Sequence, residues 1–254
     1  MGRTFVALIA VVCVAAGAAA FAPTTAVGRV QLDTPAKSGG WTQVRPRRRP
    51  VPNGHLIVQV RPGHALALHS RPFGPVLATV GATTQFGSTR ALGVLATRRD
   101  RWLAVTEAGI GNNRVVWVDA RAGGLRYERT KLELVVDLSD RTLTIQRDGT
   151  VLRQVSVGVG REGSATPTGR FAVTDKLRGS AYSASYGCCI LALSAIQPNL
   201  PAGWSGGNRI AIHGTLSSSD FGRAVSAGCV HASDADLRYL MRSVPLGTPV
   251  VIRP

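Results

Sequence analysis

Between residues 55 and 122, apolar residues come in short bursts: LIVQV (Leu56–Val60), LALHS (Leu66–Ser70), PVLATV (Pro75–Val80), ALGVLAT (Ala91–Thr97), RWLAVT (Arg101–Thr106) and RVVWVDA (Arg114–Ala120). Turn formers separate them at Pro62-Gly63, Gly74-Pro75, Gly81, Gly87, Gly109 and Gly111. Bursts of strand length bounded by Gly and Pro predict a small all-β domain. From residue 130 the pattern changes. Leu132–Asp137 is an apolar-rich strand, and Thr142–Gln146 alternates with the period of a half-buried strand. Asp148-Gly149 is a hairpin turn signal, and Val151–Val157 reads as the return strand. Phe171–Val173, Arg209–Ile212 and Pro249–Ile252 are further strands. One helix stands out: Ser233 suits the N-cap with Asp236 three residues on, Leu237, Leu240, Met241 and Val244 follow at helical spacing, and Pro245 stops it. The pattern predicts a mainly β chain with one or two helices and no internal repeat.

The N-terminus bears on compartment. Arg3 precedes an apolar run, Phe5–Val14, followed by small residues from Ala15 to Ala20. Residues 1–22 therefore read as a secretory signal peptide, and the run is shorter than the ~20 apolar residues a membrane span needs. The alternative is an uncleaved anchor, which would be the chain's contact with membrane. Residues 23–54 are a basic, Pro-rich linker ending in VRPRRRPVPNG (Val44–Gly54), stiffened by proline and extended by like charge. It is either a spacer that touches anionic cell-wall polymer or a solvated tether.

Charge adds a partner class. Thirty Lys and Arg against 14 Asp and Glu give a formal charge of +16, which predicts attraction to polyanions or an anionic surface. Secretion turns that expectation toward the cell envelope and away from nucleic acid. Removal of the signal takes Cys13 and leaves Cys188, Cys189 and Cys229, an odd set that points to a free reactive thiol. No Cys-x-x-Cys pair and no histidine at metal spacing predict a metal site, and no cofactor is expected. Cys188 and Cys189 are adjacent and open to three readings, buried free thiols, a vicinal disulfide or partners for another chain, of which buried thiols are preferred.

Cys229 lies in VSAGCVHAS (Val225–Ser233). A free thiol has a pKa of about 8.5, so it needs an imidazole, backbone N–H groups or a helix start to become a nucleophile. The backbone N–H groups of Ala227, Gly228 and Cys229 can form an oxyanion hole, and the Ser233 helix begins just beyond. His213, in RIAIHGT (Arg209–Thr215), stands at a strand end that opens into a polar loop, where a rigid scaffold presents an exposed group. The order is His, a loop, then Cys, the reverse of papain-like enzymes. If the chain is extended at Cys229–His231, Cys229 and His231 project to one face and His231 becomes a rival base.

These residues resemble a known family. His213-Gly214-Thr215, a loop, then Ser226-x-Gly228-Cys229-Val230 is similar to the signature of L,D-transpeptidase catalytic domains. Ala165-Thr166-Pro167-Thr168-Gly169-Arg170-Phe171 resembles the family's Thr-Pro-x-Gly-x-Phe turn, and Tyr186-Gly187-Cys188-Cys189, Gly206–His213 and Asp234–Ile252 are similar to actinobacterial members. Residues 55–125, through Arg71-Pro72, Trp102 and Trp117-Val118, resemble the SH3-like β-barrels found beside wall enzymes.

The resemblance implies a β-sandwich catalytic domain over 128–254 preceded by a small SH3-like β-barrel. It also implies a secreted enzyme that cross-links peptidoglycan stem peptides. Cys229 is then the nucleophile and His213 the general base and acid. Gly214, Ala227 and Gly228 give backbone support, and Ser226, Thr215, His231 and Tyr182 contact substrate. Two positions depart from the family: it often has His where this chain has Ala227, and Arg or Asn near His231. An L,D-carboxypeptidase with water as acceptor and a non-catalytic wall-binding protein are the rival readings.

Overall fold

The computed structural model describes residues 54–204 and 207–254; the expected signal peptide and all of the expected linker but Gly54 lie outside the described residues. Seven strands form the first sheet: β1 (His55–Val60), β2 (Ala65–His69), β3 (Val76–Gly81), β4 (Ala91–Arg98), β5 (Trp102–Val105), β6 (Val116–Asp119) and β7 (Leu125–Thr130). Their order is β3-β2-β6-β5-β4-β1-β7. Val58, Leu66, Leu68, Leu92, Leu103, Val105, Val116 and Val118 fill its core. These are alternate positions of the predicted bursts, as a sheet with one buried face requires. The sheet runs past residue 125, because β7 pairs with β1 from His55↔Thr130 to Val60↔Leu125.

The second sheet is built from β8 (Leu132–Asp137), β9 (Thr142–Arg147), β10 (Thr150–Ser156), β12 (Gly169–Arg178), β13 (Cys189–Ile196), β14 (Arg209–His213), β16 (Val230–His231) and β17 (Pro249–Arg253). Its order is β10-β9-β8-β17-β12-β13-β14-β16. β11 (Val159–Gly160) and β15 (Ala224–Ser226) pair separately in parallel. The β9–β10 turn has Asp148 and Gly149 at φ 50° and 83°, the left-handed pair that a two-residue hairpin needs. The single α-helix among the described residues, α1 (Asp234–Ser243), starts at the predicted cap, where the Ser233 side chain accepts the Asp236 N–H. Leu237 and Leu240 are fully buried in a core shared with Phe171, Leu191, Leu193, Ile210 and Ile212. Each such side chain contributes ~1.5–3 kcal/mol by leaving water.

Strand β13, CILALSAI, is not among the strands the sequence pattern predicts. It is buried at every position except Ile196, so it has no polar alternation to betray it.

The two sheets are joined by specific contacts. Asn112 clamps Ile196, its Nδ2 donating to the Ile196 carbonyl (2.6 Å) and its Oδ1 accepting the Ile196 N–H (2.8 Å). The Thr106 and Ser194 hydroxyls are hydrogen-bonded at 3.0 Å. A Cβ at Gly93 would sit 2.7 Å from the Gly247 carbonyl oxygen, so the backbones pack too closely there for any side chain. The loop after β3 thereby comes to lie near the start of β14.

Candidate active site

The site grows out of the β14–β16 ladder. These strands are parallel and pair Ile212↔Val230 and His213↔His231. Ile212 and Val230 point into the core, so His213 and His231 share the opposite face. Cys229, two positions before His231, shares it as well. The Ala211 backbone hydrogen-bonds the Cys229 thiol. Cys229 is a free cysteine, and its Sγ lies 3.8 Å from the Arg209 carbonyl oxygen. Among the described residues, no hydrogen bond joins Sγ to an imidazole.

A knot of hydrogen bonds shapes the turn before Cys229. The Ser226 hydroxyl accepts the Gly228 N–H (3.0 Å) and donates to the Cys229 carbonyl (2.5 Å). Gly228 has φ 124°, a conformation that disfavours any side chain. The Thr166 hydroxyl donates to the Gly228 carbonyl (2.8 Å) and accepts the Gly160 N–H (2.9 Å). Gln197, 3% exposed, directs its Nε2 to the carbonyls of Ser164 (3.0 Å), Ala165 (3.1 Å) and Ala227 (3.0 Å). The Thr-Pro-Thr-Gly turn and the cysteine turn are thus one unit, fastened by Thr166 and Gln197.

This geometry bears on two of the expectations. The Gly228 N–H is engaged by the Ser226 hydroxyl. Ser226 is buried, and its hydroxyl closes the turn.

His213 is 6% exposed. Its Nδ1 lies 2.6 Å from the Gly214 carbonyl oxygen. A carbonyl only accepts, so Nδ1 carries the proton and Nε2 keeps its lone pair. The Gly214 N–H in turn donates to the Tyr186 carbonyl (2.8 Å). A Cβ at Gly214 would sit 2.6 Å from the Gly187 Cα, so glycine is required at this crossing. The Tyr186 ring meets His213 edge-on at 4.7 Å, and the His231 ring lies tilted at 4.9 Å. His231 Nδ1 is 2.8 Å from Asp220 Oδ2, which also accepts the Thr215 hydroxyl (2.5 Å). Thr215 and His231 hold the Asp220 carboxyl below its ordinary value, so it is a carboxylate at neutral pH and His231 is the donor. Tyr182 is 52% exposed, its ring 6.5 Å from that of Phe86.

The electrostatics make the resting pair neutral. Burial pushes the Cys229 thiol up to about 11. Burial, and then the nearby charge of His231, push His213 down to about 4. At pH 7 the site holds a thiol and a neutral imidazole. Burial and the charge of Cys229 raise the Tyr186 phenol.

Cys188 and Cys189 are joined to each other as a disulfide, where buried free thiols were expected. The Cys188 N–H is held by Asp234 Oδ1 (2.9 Å) just after the left-handed Gly187, and Cys188 remains partly exposed. Among the described residues, no group of three His, Cys, Asp or Glu is placed to hold a metal ion. Asp220, Gln197 and the clamping role of Thr166 were not legible in the sequence. Asp220 looks like an ordinary residue of a Ser-rich loop, and Gln197 follows a strand that the pattern does not reveal.

Residues 131–252 match the YkuD family, described as the L,D-transpeptidase catalytic domain. YkuD of Bacillus subtilis (strain 168) is 29% identical over 119 residues, covering 47% of this chain and 64% of the relative. YkuD of Bacillus licheniformis is 29% identical over 121 residues, covering 48% and 65%. The chain therefore spans just under two thirds of the length of these relatives. Among solved structures, an L,D-transpeptidase from Mycobacterium smegmatis aligns with a TM-score of 0.41 at 17% identity, over 64% of this chain and 82% of that one.

Proposed function

We propose, with the L,D-transpeptidase catalytic domain of residues 131–252 as the premise, that this chain cross-links peptidoglycan stem peptides through an acyl-enzyme on Cys229. The observation that carries the reading is the shared face of β14 and β16. It puts a free thiol and an imidazole on one face, and among the described residues the imidazole's Nε2 has no hydrogen-bond partner.

In this mechanism His213 Nε2 takes the Cys229 proton as Sγ attacks the carbonyl of diaminopimelate in a donor tetrapeptide. The amides of Ala227 and Cys229 receive the oxyanion. The bond to the terminal D-alanine breaks, and the His213 imidazolium protonates the departing amine. The side-chain amine of a second diaminopimelate then attacks the thioester. The carbon–sulfur bond breaks, the attacking nitrogen loses a proton to His213, and the thiol is restored. Gly214 holds His213 in the working tautomer. Asp220 and Thr215 fix His231 behind it, which makes His231 a neighbour of the base and a wall of the site. Tyr182, which is exposed, serves as a substrate contact in this reading.

The remaining parts fit a role outside the cytoplasm. Residues 1–22 direct secretion to the cell envelope, and the basic linker and net charge of +16 favour an anionic wall polymer. No metal or cofactor enters the chemistry.

Purified protein incubated with a stem tetrapeptide and a diaminopimelate-bearing acceptor tests the reading. Mass spectrometry should find free D-alanine matched by an equal amount of cross-linked dimer. D-Alanine with a hydrolysed tripeptide and no dimer would assign the carboxypeptidase reaction instead. No D-alanine release from a folded protein would contradict enzymatic function.

A further inference from the structure

A polar cavity of about 320 Å³ opens where the loop after β3 meets the start of β14. Thr84, Gln85, Arg90 and Glu107 line it from the first sheet, Asn208 and Arg209 from the second. Its two guanidinium groups differ. Arg90 is fully committed: Nε donates to the Gly81 carbonyl (2.8 Å), Nη2 to the Thr83 carbonyl (2.9 Å) and Nη1 to Glu107 (3.1 Å). Arg209 spends only Nη1, on the Thr174 hydroxyl and the Leu193 carbonyl, both at 3.1 Å. Among the described residues, its Nε and Nη2 have no hydrogen-bond partner. The Phe86 ring holds the guanidinium from one side, 5.7 Å from the ring centroid. The side-chain amides of Gln85 and Asn208 are likewise unengaged.

The cavity is continuous in the fold with the reactive face. Arg209, Ala211 and His213 are alternate positions of β14 and share one side of the strand. The Arg209 backbone carbonyl is the atom that faces Cys229 Sγ. The lining also indicates the class of ligand. Glu107 and the buried Asp175 both act on Arg209 and offset the two arginines, so the cavity holds no excess positive charge. A polyphosphate or wall polyanion would meet these two carboxylates with only one open guanidinium edge to pair with. A single carboxylate flanked by peptide amides does: the open edge of Arg209 fits its two oxygens, and Gln85 and Asn208 fit the amides.

We propose that this cavity is a carboxylate subsite for the peptide substrate, with Arg209 as its anchor and the loop after β3 as its outer wall. The proposal rests on the stem-peptide reading above, and it gives the first sheet a share in substrate recognition.

The test is binding to the full-length Cys229→Ala protein, which removes turnover from the measurement. Calorimetry would compare the stem tetrapeptide with two singly amidated forms, one blocked at the terminal D-alanine carboxylate and one at the diaminopimelate carboxylate. One of the two amides should bind about 10- to 100-fold more weakly than the acid, the size of a charge-assisted pair. Arg209→Gln should weaken the acid by the same factor and that amide no further, and Arg209→Lys should recover part of the loss. Thermal melting of each variant reports whether it has folded. Equal weakening of the acid and both amides by Arg209→Gln, or no difference among the three peptides on the Arg209 protein, would overturn the subsite. Arg209-dependent binding by a protein whose Cys229 proves unreactive would uphold the subsite and remove the transpeptidase reading. A reactive Cys229 with no carboxylate dependence would do the reverse.

Discussion

His213→Ala is expected to slow acylation of Cys229 by about 10²–10⁴-fold at pH 7, the usual loss when a positioned general base is removed. The thiol is pushed up to about 11, so without the imidazole almost none of it is thiolate at neutral pH. The pH profile separates this cause from general damage. In the wild type, His213 is neutral above about 4, so the rate should fall as pH drops through that value and stay nearly level through neutrality. In the variant, reaction must wait for thiolate, and the rate should climb about tenfold per pH unit toward 11. His231→Ala should cost far less. Its imidazole is tied to Asp220, while His213 is held in the tautomer that leaves Nε2 free to accept. Stopped-flow acylation of the two variants across pH, with circular dichroism as a folding control, decides between them. A His231→Ala variant that is the slower of the two would contradict the assignment of the base.

Gly228→Ala should both destabilise the protein and disarm it. Glycine is at φ 124° there, and a Cβ would sit 2.1 Å from Gln197 Nε2. Backbone strain of ~1–3 kcal/mol adds to the displacement of Gln197. That displacement leaves the Ser164, Ala165 and Ala227 carbonyls short of a donor, at ~1–3 kcal/mol for a buried group left unsatisfied. A total on the order of 3–5 kcal/mol should lower the melting temperature by about 10 °C for a chain of this size. Gly163→Ala is the control: φ is 80° and nothing lies within 4 Å of its Cβ, so it carries strain alone. The pair is read by thermal unfolding, with the rate of Cys229 alkylation as a second signal. Equal melting temperatures for the two variants would show that the Gln197 knot does not hold the cysteine turn.

Much of the scaffold was legible because its rules are local. Ser233 and Asp236 mark the start of α1, and Asp148-Gly149 marks the hairpin between β9 and β10, each within a few residues. The alternation of β9 and the apolar run of β8 come from the same short range. β13 escaped because a strand buried on both faces carries no period. The candidacy of Cys229 and His213 could be read from their neighbours and from the order of the two motifs, and the structure sets the two on one face. What holds them could not. Gln197 and Thr166 reach the cysteine turn across long stretches of chain, and Asp220 reaches His231 by the folding of a loop rich in serine. Ser226 illustrates the limit most clearly. Its place in the signature suggested contact with substrate, and only the turn geometry shows that both its hydrogen bonds face inward. The joining of Cys188 to Cys189 was one of three readings of adjacent cysteines, and a count of cysteines could not choose among them.

The central claim is that Cys229 forms an acyl-enzyme. A carbapenem is the direct probe, because opening of its ring by the thiol leaves every atom of the drug on the protein. Intact-mass spectrometry of the full-length protein after exposure should show one added carbapenem, peptide mapping should place it on Cys229, and Cys229→Ala should show none. An adduct that persists in folded Cys229→Ala, or a folded wild-type protein that gains no mass, would contradict the account.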